Sequence, residues 1–371
     1  MKVGIVGAGV VGLCTAWALA RRGHAVTVFD QGLIPNPLSS SYDEHRIIRH
    51  AYGTMRNYAV MMPQAFAAWD RLWADLGRCH YVAAPATYCL RMEFDWYRPV
   101  AACLDHMGIG YRDIDLADVA RDLPMVNPAG LLRVVETQGA GLLLADRIII
   151  DLARKLRAMG ADLRANVPVS DVDAERARIG HWHGDAIVIA AGAWVEKLLG
   201  RITEAPRTTV QTVVYLEPPA GLTQAWHTAP LLLNRLPTPA GGVYVLPPRA
   251  GARLKAGDYD HNDDGDPDAP RIATAAQRDR VLESAAMAIA DFDAYRVLEV
   301  KSCFYTVTSD ERFAIRPLGR AGWLASACSG HGFKFAALTG EAVADGVTGA
   351  RPAREVTDWM AGRLTEDVVG V

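Results

Sequence analysis

Apolar residues first gather in KVGIV (2–6), a short unbroken run of the kind that a buried strand needs. GAGVVG then gives a tight turn, and LCTAWALARR reads as a helix whose small residues face a sheet. GHAVTVFD (23–30) returns as a second strand ending in an acid and completes one βαβ unit. Further along, DRIIIDLARKLRAMGADLRANVPVSDVDA (146–174) reads as helix, turn and strand, and GDAIVIAAGAW (184–194) as a buried strand that stops at a glycine turn. Both read as returns to the opening unit. Elsewhere the period drops to two. TVVYLEPP, GGVYVLPP, ARLKAGDYD and VKSCFYTVT alternate, which predicts a second, largely antiparallel sheet. FKFAALTGEAVADGVTG (333–349) is amphipathic, with alanines suited to a helix packed on a sheet.

The pattern thus predicts an α/β (α+β) fold: a Rossmann-like nucleotide domain and a second domain on a mixed, largely antiparallel sheet. The nucleotide domain is discontinuous, over 1–78, 143–208 and 306–371. Residues 79–142 and 209–305 form the substrate domain. Size agrees, since 371 residues exceed one ordinary core.

Composition narrows the function classes. Half the residues are hydrophobic and the net charge is −3, which favours neither nucleic acid nor an anionic membrane as partner. The chain opens directly on a strand, with no room for a signal segment. AIVIAAGAWV (186–195) is half the length of a membrane span. The six cysteines show no CxxC spacing, so neither zinc nor a disulfide framework is indicated, and a cytoplasmic setting follows.

Gly7-x-Gly9-x-x-Gly12 follows the first strand and opens the helix, and Asp30 ends the second strand. Glycines in this order let a pyrophosphate approach the helix N-terminus, and the acid suits a ribose hydroxyl. On these residues alone NAD is served as well as FAD. GDYDHNDDGDPDAP (257–270) places Asp260, Asn262, Asp264 and Gly265 at calcium-loop positions, but Arg271 stands where a bidentate Glu is needed. It reads as a solvated acidic loop, and no metal is expected.

Four stretches carry a resemblance: GIVGAGVVG at the start, HRIIRHAYG (45–53), KSCFYTVTSDERF (301–313) and CSGHGFKF (328–335). Through them the chain resembles the D-amino-acid-oxidase-type flavoprotein superfamily, and within it the monomeric sarcosine oxidase and N-methyltryptophan oxidase group. The resemblance implies FAD, a monomer, and an FAD domain joined to a substrate domain. It implies that Cys303 attaches the flavin through a thioether, and that Arg49 and Lys334 clamp the substrate carboxylate by a guanidinium fork and a point charge. Without the family, Arg49 would be a surface ion pair with Asp43 or Glu44, and Cys303 a small buried hydrophobe.

By the same resemblance Lys255 activates dioxygen, its charge stabilising superoxide as the first electron leaves. Gly330, His331 and Gly332 bring backbone N–H groups to the flavin, Arg46 lies beside its ring, Ser40 and Ser41 run along the cofactor, and Val169 meets the adenine. Tyr305 and Tyr244 line the substrate pocket. Period two places Cys303 and Tyr305 on one strand face toward the flavin, with Phe304 and Thr306 on the other.

The chain also departs from that group. Tyr42 and Tyr259 stand where sarcosine-oxidising members carry histidines, although His261 is near. The substrate is left open between an N-methyl amino acid, a bulkier N-alkyl one, and a cyclic secondary amino or imino acid, as in relatives acting in antibiotic pathways. The reaction expected is oxidation of the C–N unit with O2 as acceptor, giving an imine and hydrogen peroxide. A flavin dehydrogenase is the nearest alternative and an NAD-dependent dehydrogenase a remoter one.

Overall fold

The opening βαβ unit lies inside a six-stranded sheet in the computed structural model, which describes residues 1–52, 55–93, 97–200, 206–261, 263–326 and 328–363. The strand order is Ala314–Leu318, Gly322–Ser326, Ala186–Ile189, Lys2–Val6, Ala25–Phe29, Asp162–Arg164. All pairs are parallel except the first, which is antiparallel. Buried Val3, Ile5, Val28 and Val188 explain the unbroken apolar runs, since both faces are covered. Two helices, Val10–Arg21 and Ala336–Thr348, meet at their backbones on this sheet. A Cβ on Gly340 would lie 2.4 Å from the Cys14 carbonyl carbon, so only glycine fits there.

The second sheet has eight strands, in the order Arg296–Val307, Arg207–Glu217, Leu254–Asp258, Gly242–Leu246, Leu231–Arg235, Ala86–Leu90, Arg133–Thr137, Tyr111–Ile114. It is antiparallel apart from the pair Leu231–Arg235 with Ala86–Leu90. One face, with Val214, Leu216, Val243, Val245, Leu254 and Ala256, packs with Val281 and Ala285 of the helix Ala275–Ala288. Directly paired residues share a face. Hence Tyr88, Leu233, Tyr244 and Gly257 form a row on the opposite face, beside a row of Leu246, Lys255 and Tyr215.

Three elements were not expected from the sequence. A three-stranded meander spans Val172–Asp173, Arg178–Ile179 and Trp182–His183. The helix Arg56–Leu76 runs 21 residues with Pro63 inside it. A small sheet joins Arg46–Arg49, Ala140–Leu143 and Tyr81–Ala83. In its first strand Ile48 enters the core of the first sheet, while Ile47 packs against the cluster that holds Tyr88, Leu233 and Leu246 of the second. Alternation along four residues thus pins Arg46 and Arg49 between the two large sheets. Among the described residues, no helix is long and apolar enough to cross a membrane.

Candidate active site

A cavity of about 420 Å³ opens along the glycine loop and reaches Tyr305 and Lys334. Gly7 has φ +103°, and a Cβ there would stand 2.3 Å from the Ala190 carbonyl oxygen. Gly12 has another task. Its Cβ would lie 2.0 Å from the Gly7 carbonyl, so it closes the turn without lining the cavity. Gly9 lines the wall, and the Val10 N–H at the helix start donates to Ser41 Oγ at 3.0 Å. Asp30 also lies on the wall. Its carboxylate accepts from the N–H groups of Ala8 (2.8 Å) and Gly32 (2.9 Å) and from Asn36 Nδ2 (2.9 Å). It therefore fastens the glycine loop and keeps one of its roughly four acceptor positions for a ligand hydroxyl.

Ser40, Ser41, Arg46, Val169, Gly330, His331 and Gly332 line the same cavity. The Ser40 hydroxyl donates to the Phe304 carbonyl, and Arg46 Nη2 donates to the Ser40 carbonyl at 2.7 Å. The expectation for the glycine–histidine–glycine turn needs correction. The N–H groups of His331 and Gly332 both donate to the Cys328 carbonyl, at 2.8 and 2.7 Å, and so close the turn instead of facing a ligand. Along 303–306 the alternation is kept: the Phe304 ring packs against Gly265 and Arg271, while the Tyr305 ring faces Gly330 and His261. Phe304, Tyr305 and Thr306 all border the cavity, whereas Cys303 does not. The Arg296–Val307 strand is an edge strand of the second sheet. Burial pushes the Cys303 thiol up, with the Arg46 charge pulling the other way.

Arg49 and Lys334 form the second centre. Arg49 Nε and Nη1 are buried with no hydrogen-bond partner, and its guanidinium carbon lies 5.5 and 5.8 Å from the ring centroids of Tyr52 and Tyr88. Neither Asp43 nor Glu44 pairs with it: Asp43 binds Arg46 and Lys255, and Glu44 binds Arg253. Lys334 is 5 % exposed, and its Nζ donates to Tyr52 Oη at 3.4 Å. Burial first, then the Arg49 charge, holds its ammonium well below the usual lysine range. The Tyr52 hydroxyl donates to His331 Nδ1 at 2.6 Å, and His331 Nε2 donates to the Glu311 carbonyl at 2.9 Å. Burial, aided by Lys334, lowers the His331 pKa to about 3, so the ring is neutral and its tautomer fixed. Trp69 Nε1 donates to the Lys334 carbonyl at 2.8 Å and holds this turn from behind.

Lys255 is fully buried; its Nζ lies 2.9 Å from Asp43 Oδ2 and 2.6 Å from the His45 carbonyl oxygen. Tyr244 lies over Gly257, whose added Cβ would meet its hydroxyl at 2.4 Å, and its ring centroid is 6.1 Å from that of Tyr259. Burial raises the phenol pKa values of Tyr244 and Tyr305. Tyr42 packs its ring against the core of the first sheet. His261 Nδ1 is buried without a partner, its ring 5.9 Å from that of Tyr305. In the 257–270 stretch, Asp258, Asp260 and Asp263 pair with Arg280, Asp264 with Arg207, and Asp266 and Asp268 with Lys197; Asn262 lies outside the described residues.

Sequence reasoning missed Asp43, Tyr52 and Tyr215. Asp43 and Tyr52 flank the HRIIRH segment, but only the tertiary structure shows what each side chain reaches.

These residues fit a dinucleotide flavin. The cradle at Gly7 admits no side chain, one Asp30 acceptor position is open, and a helix N-terminus faces the cavity. Known proteins agree. N-methyl-L-tryptophan oxidase of Yersinia pestis (strain Pestoides F) is 25% identical over 365 residues, covering 92% of this chain and 93% of that protein. L-proline dehydrogenase from P. horikoshii superposes with a TM-score of 0.80 at 18% identity, over 98% of this chain and 96% of the other. NikD, an amino acid oxidase essential for nikkomycin biosynthesis, gives a TM-score of 0.78 at 22% identity, with 95% of each chain covered. The family model described as DAO, FAD dependent oxidoreductase, matches residues 2–346, and this chain belongs to that family.

Proposed function

We propose that the protein is an FAD-dependent oxidase of a secondary amino acid, either N-methyl or cyclic. It takes two hydrogens from the CH–NH unit and passes them to dioxygen, giving an imine and hydrogen peroxide. The observation that carries this reading is the Arg49 guanidinium, two of whose nitrogens are buried with no partner among the described residues, beside the buried Lys334 ammonium. Two cations without an anion are costly in a protein interior, and a substrate carboxylate removes that cost. FAD, when bound, supplies the two-electron acceptor.

The chain's own residues do the rest. Arg49 and Lys334 grip the carboxylate, while Tyr52 and His331 fix the lysine. Tyr244 and Tyr305 enclose the organic part and exclude water. Lys255 supplies positive charge where electrons pass to dioxygen. Cys303, next in the chain to the lining Phe304, tethers the cofactor; burial raises its thiol and the Arg46 charge opposes that rise.

A peroxide-coupled screen over N-methyl amino acids, proline, pipecolate and dehydro ring analogues tests the activity. Turnover with peroxide is expected for at least one class, and none with any would reject the oxidase. Acid precipitation tests the tether: yellow colour should stay in the pellet, and its complete release to the supernatant would reject the thioether.

A further inference from the structure

Asp43 is a buried charge that neither cofactor nor substrate binding calls for. Its carboxylate accepts from four donors: Lys255 Nζ at 2.9 Å, the Glu44 N–H at 2.8 Å, Arg46 Nη1 and the Tyr215 hydroxyl. Four donors fill the roughly four acceptor positions of a carboxylate. Asp43 is thus a saturated, fixed negative charge, 6 % exposed.

Lys255 is placed by it. The ammonium spends one donor on Asp43 Oδ2 and one on the His45 carbonyl oxygen, 2.6 Å away. Its third has no acceptor among the described residues. Positive charge otherwise crowds this lysine. Arg46 stands on the Arg46–Arg49 strand, and Lys301, on the Arg296–Val307 strand beside Cys303, donates to the Tyr42 carbonyl at 3.4 Å. The His45 ring is buried and both its nitrogens lack partners. Glu44, the other nearby acid, is already committed to Arg253, whose guanidinium carbon also lies 3.8 Å above the Tyr215 ring. Burial, then Arg46, press the lysine toward its neutral form; Cys303 and Glu44 oppose this, and Lys301 adds to it least. Among the described residues, Asp43 is the carboxylate in ion-pair contact with this ammonium, at 2.9 Å.

We propose that Asp43 is the positioning counter-ion that keeps Lys255 charged and aimed, and that the oxygen half-reaction depends on this carboxylate. The inference rests on the role proposed above for Lys255. A lysine buried without an anion would lose its proton near neutral pH and could no longer stabilise charge developing on oxygen.

The chain has six lysines, so selective ¹³Cε-lysine labelling of the holoenzyme gives a spectrum in which Lys255→Met identifies the Lys255 resonance. Asp43→Asn is then titrated against the wild type. The Lys255 midpoint should fall by about one to three pH units, the scale of a lost opposite charge at this distance. An unchanged midpoint overturns the proposal. Reoxidation by dioxygen adds a second readout. The lysine is charged only below its lowered midpoint, so Asp43→Asn should match the wild type at low pH and decline toward the Lys255→Met rate as pH rises. A rate that parallels the wild type at every pH overturns it also. If Lys255→Met reoxidises as fast as the wild type, the oxygen role of the lysine is lost, while the labelled titration still decides whether Asp43 holds its charge. Where Asp43→Asn does not fold, Tyr215→Phe removes one donor from the carboxylate and no charge. Asp43 then leans harder on the ammonium and the Lys255 midpoint rises; failure to rise overturns the proposal.

Discussion

Lys255 and Lys334 are both buried lysines near one cofactor cavity, yet their surroundings are opposite. Lys255 has a carboxylate at 2.9 Å, itself held by Arg46 and Tyr215. Lys334 has a phenol at 3.4 Å, and a second cation, Arg49, whose buried nitrogens lack partners. One cation is satisfied within the chain; the other two have no anionic partner among the described residues. On the proposed function, the complete charge pair would serve a step in which the ligand arrives neutral, as dioxygen does. An incomplete one serves a ligand that brings its own charge.

The sharpest way to break this comparison is to delete each cation in turn. Lys255→Met should slow reoxidation on the order of 100- to 1,000-fold, the cost of one preorganised charge, with far less effect on reduction by substrate. Rapid-mixing measurement of the two half-reactions checks it, and equal slowing of both would show that Lys255 has another task. Arg49→Met should raise the dissociation constant of a non-reactive carboxylate, read from the visible spectrum of the bound flavin, by roughly 100-fold or more. The ligand-free protein should become more stable in thermal unfolding, because an unpaired buried charge is gone. Stability that falls instead would mean that Arg49 has a partner within the protein.

A pH series sharpens the contrast. Burial and Arg49 hold Lys334 below its usual range, so a bound carboxylate must raise its pKa and binding takes up a proton. Carboxylate affinity should therefore fall as pH rises through the Lys334 pKa of the ligand-free protein, by up to about tenfold per pH unit. Lys334→Met should flatten that profile. Stability runs the other way. The unfolded chain binds more protons at this lysine, so its cost to the ligand-free fold is full below the folded pKa and fades as pH climbs toward the unfolded value. The stability advantage of Lys334→Met should shrink over the same window, and an advantage constant with pH would remove Lys334 as the titrating group.

Much of this was legible in the chain, for reasons that differ by element. KVGIV and AIVIAAGAW show themselves as strands because a sheet covered on both faces leaves an unbroken apolar signature. The substrate-side sheet shows through alternation, since one face meets the helix Ala275–Ala288 and the other meets tyrosines and charges. The Arg46–Arg49 strand was not legible, because Ile47 and Ile48 go into different cores and four residues carry no period. The site resisted for a similar reason. That Arg49 is orphaned while Asp43 is saturated depends on Lys255 and Tyr215, 212 and 172 positions from Asp43, reaching it from paired strands of the second sheet. The N–H groups at 331 and 332 looked available in sequence but are turned to the Cys328 carbonyl, a matter of local dihedral angles that no motif encodes.

The smallest expected effect concerns Tyr52, the neutral neighbour that Lys334 has in place of an acid. Its hydroxyl accepts from Lys334 and donates to His331 Nδ1, so it orders the lysine without cancelling its charge. Tyr52→Phe removes that link and keeps the ring on which the Arg49 and Lys334 cations rest at 5.5 and 5.0 Å. Affinity for a non-reactive carboxylate should weaken only about three- to tenfold, the scale of one hydrogen bond to a charged group. Its pH profile should keep its shape, because the anion seen by Lys334 still comes from the ligand. The equivalent step at the other lysine, Asp43→Asn, should displace a pH profile instead. If Tyr52→Phe moves the carboxylate profile as far as Asp43→Asn moves the Lys255 midpoint, the phenol is acting as a counter-ion and the two lysines are not the opposites that their distances describe.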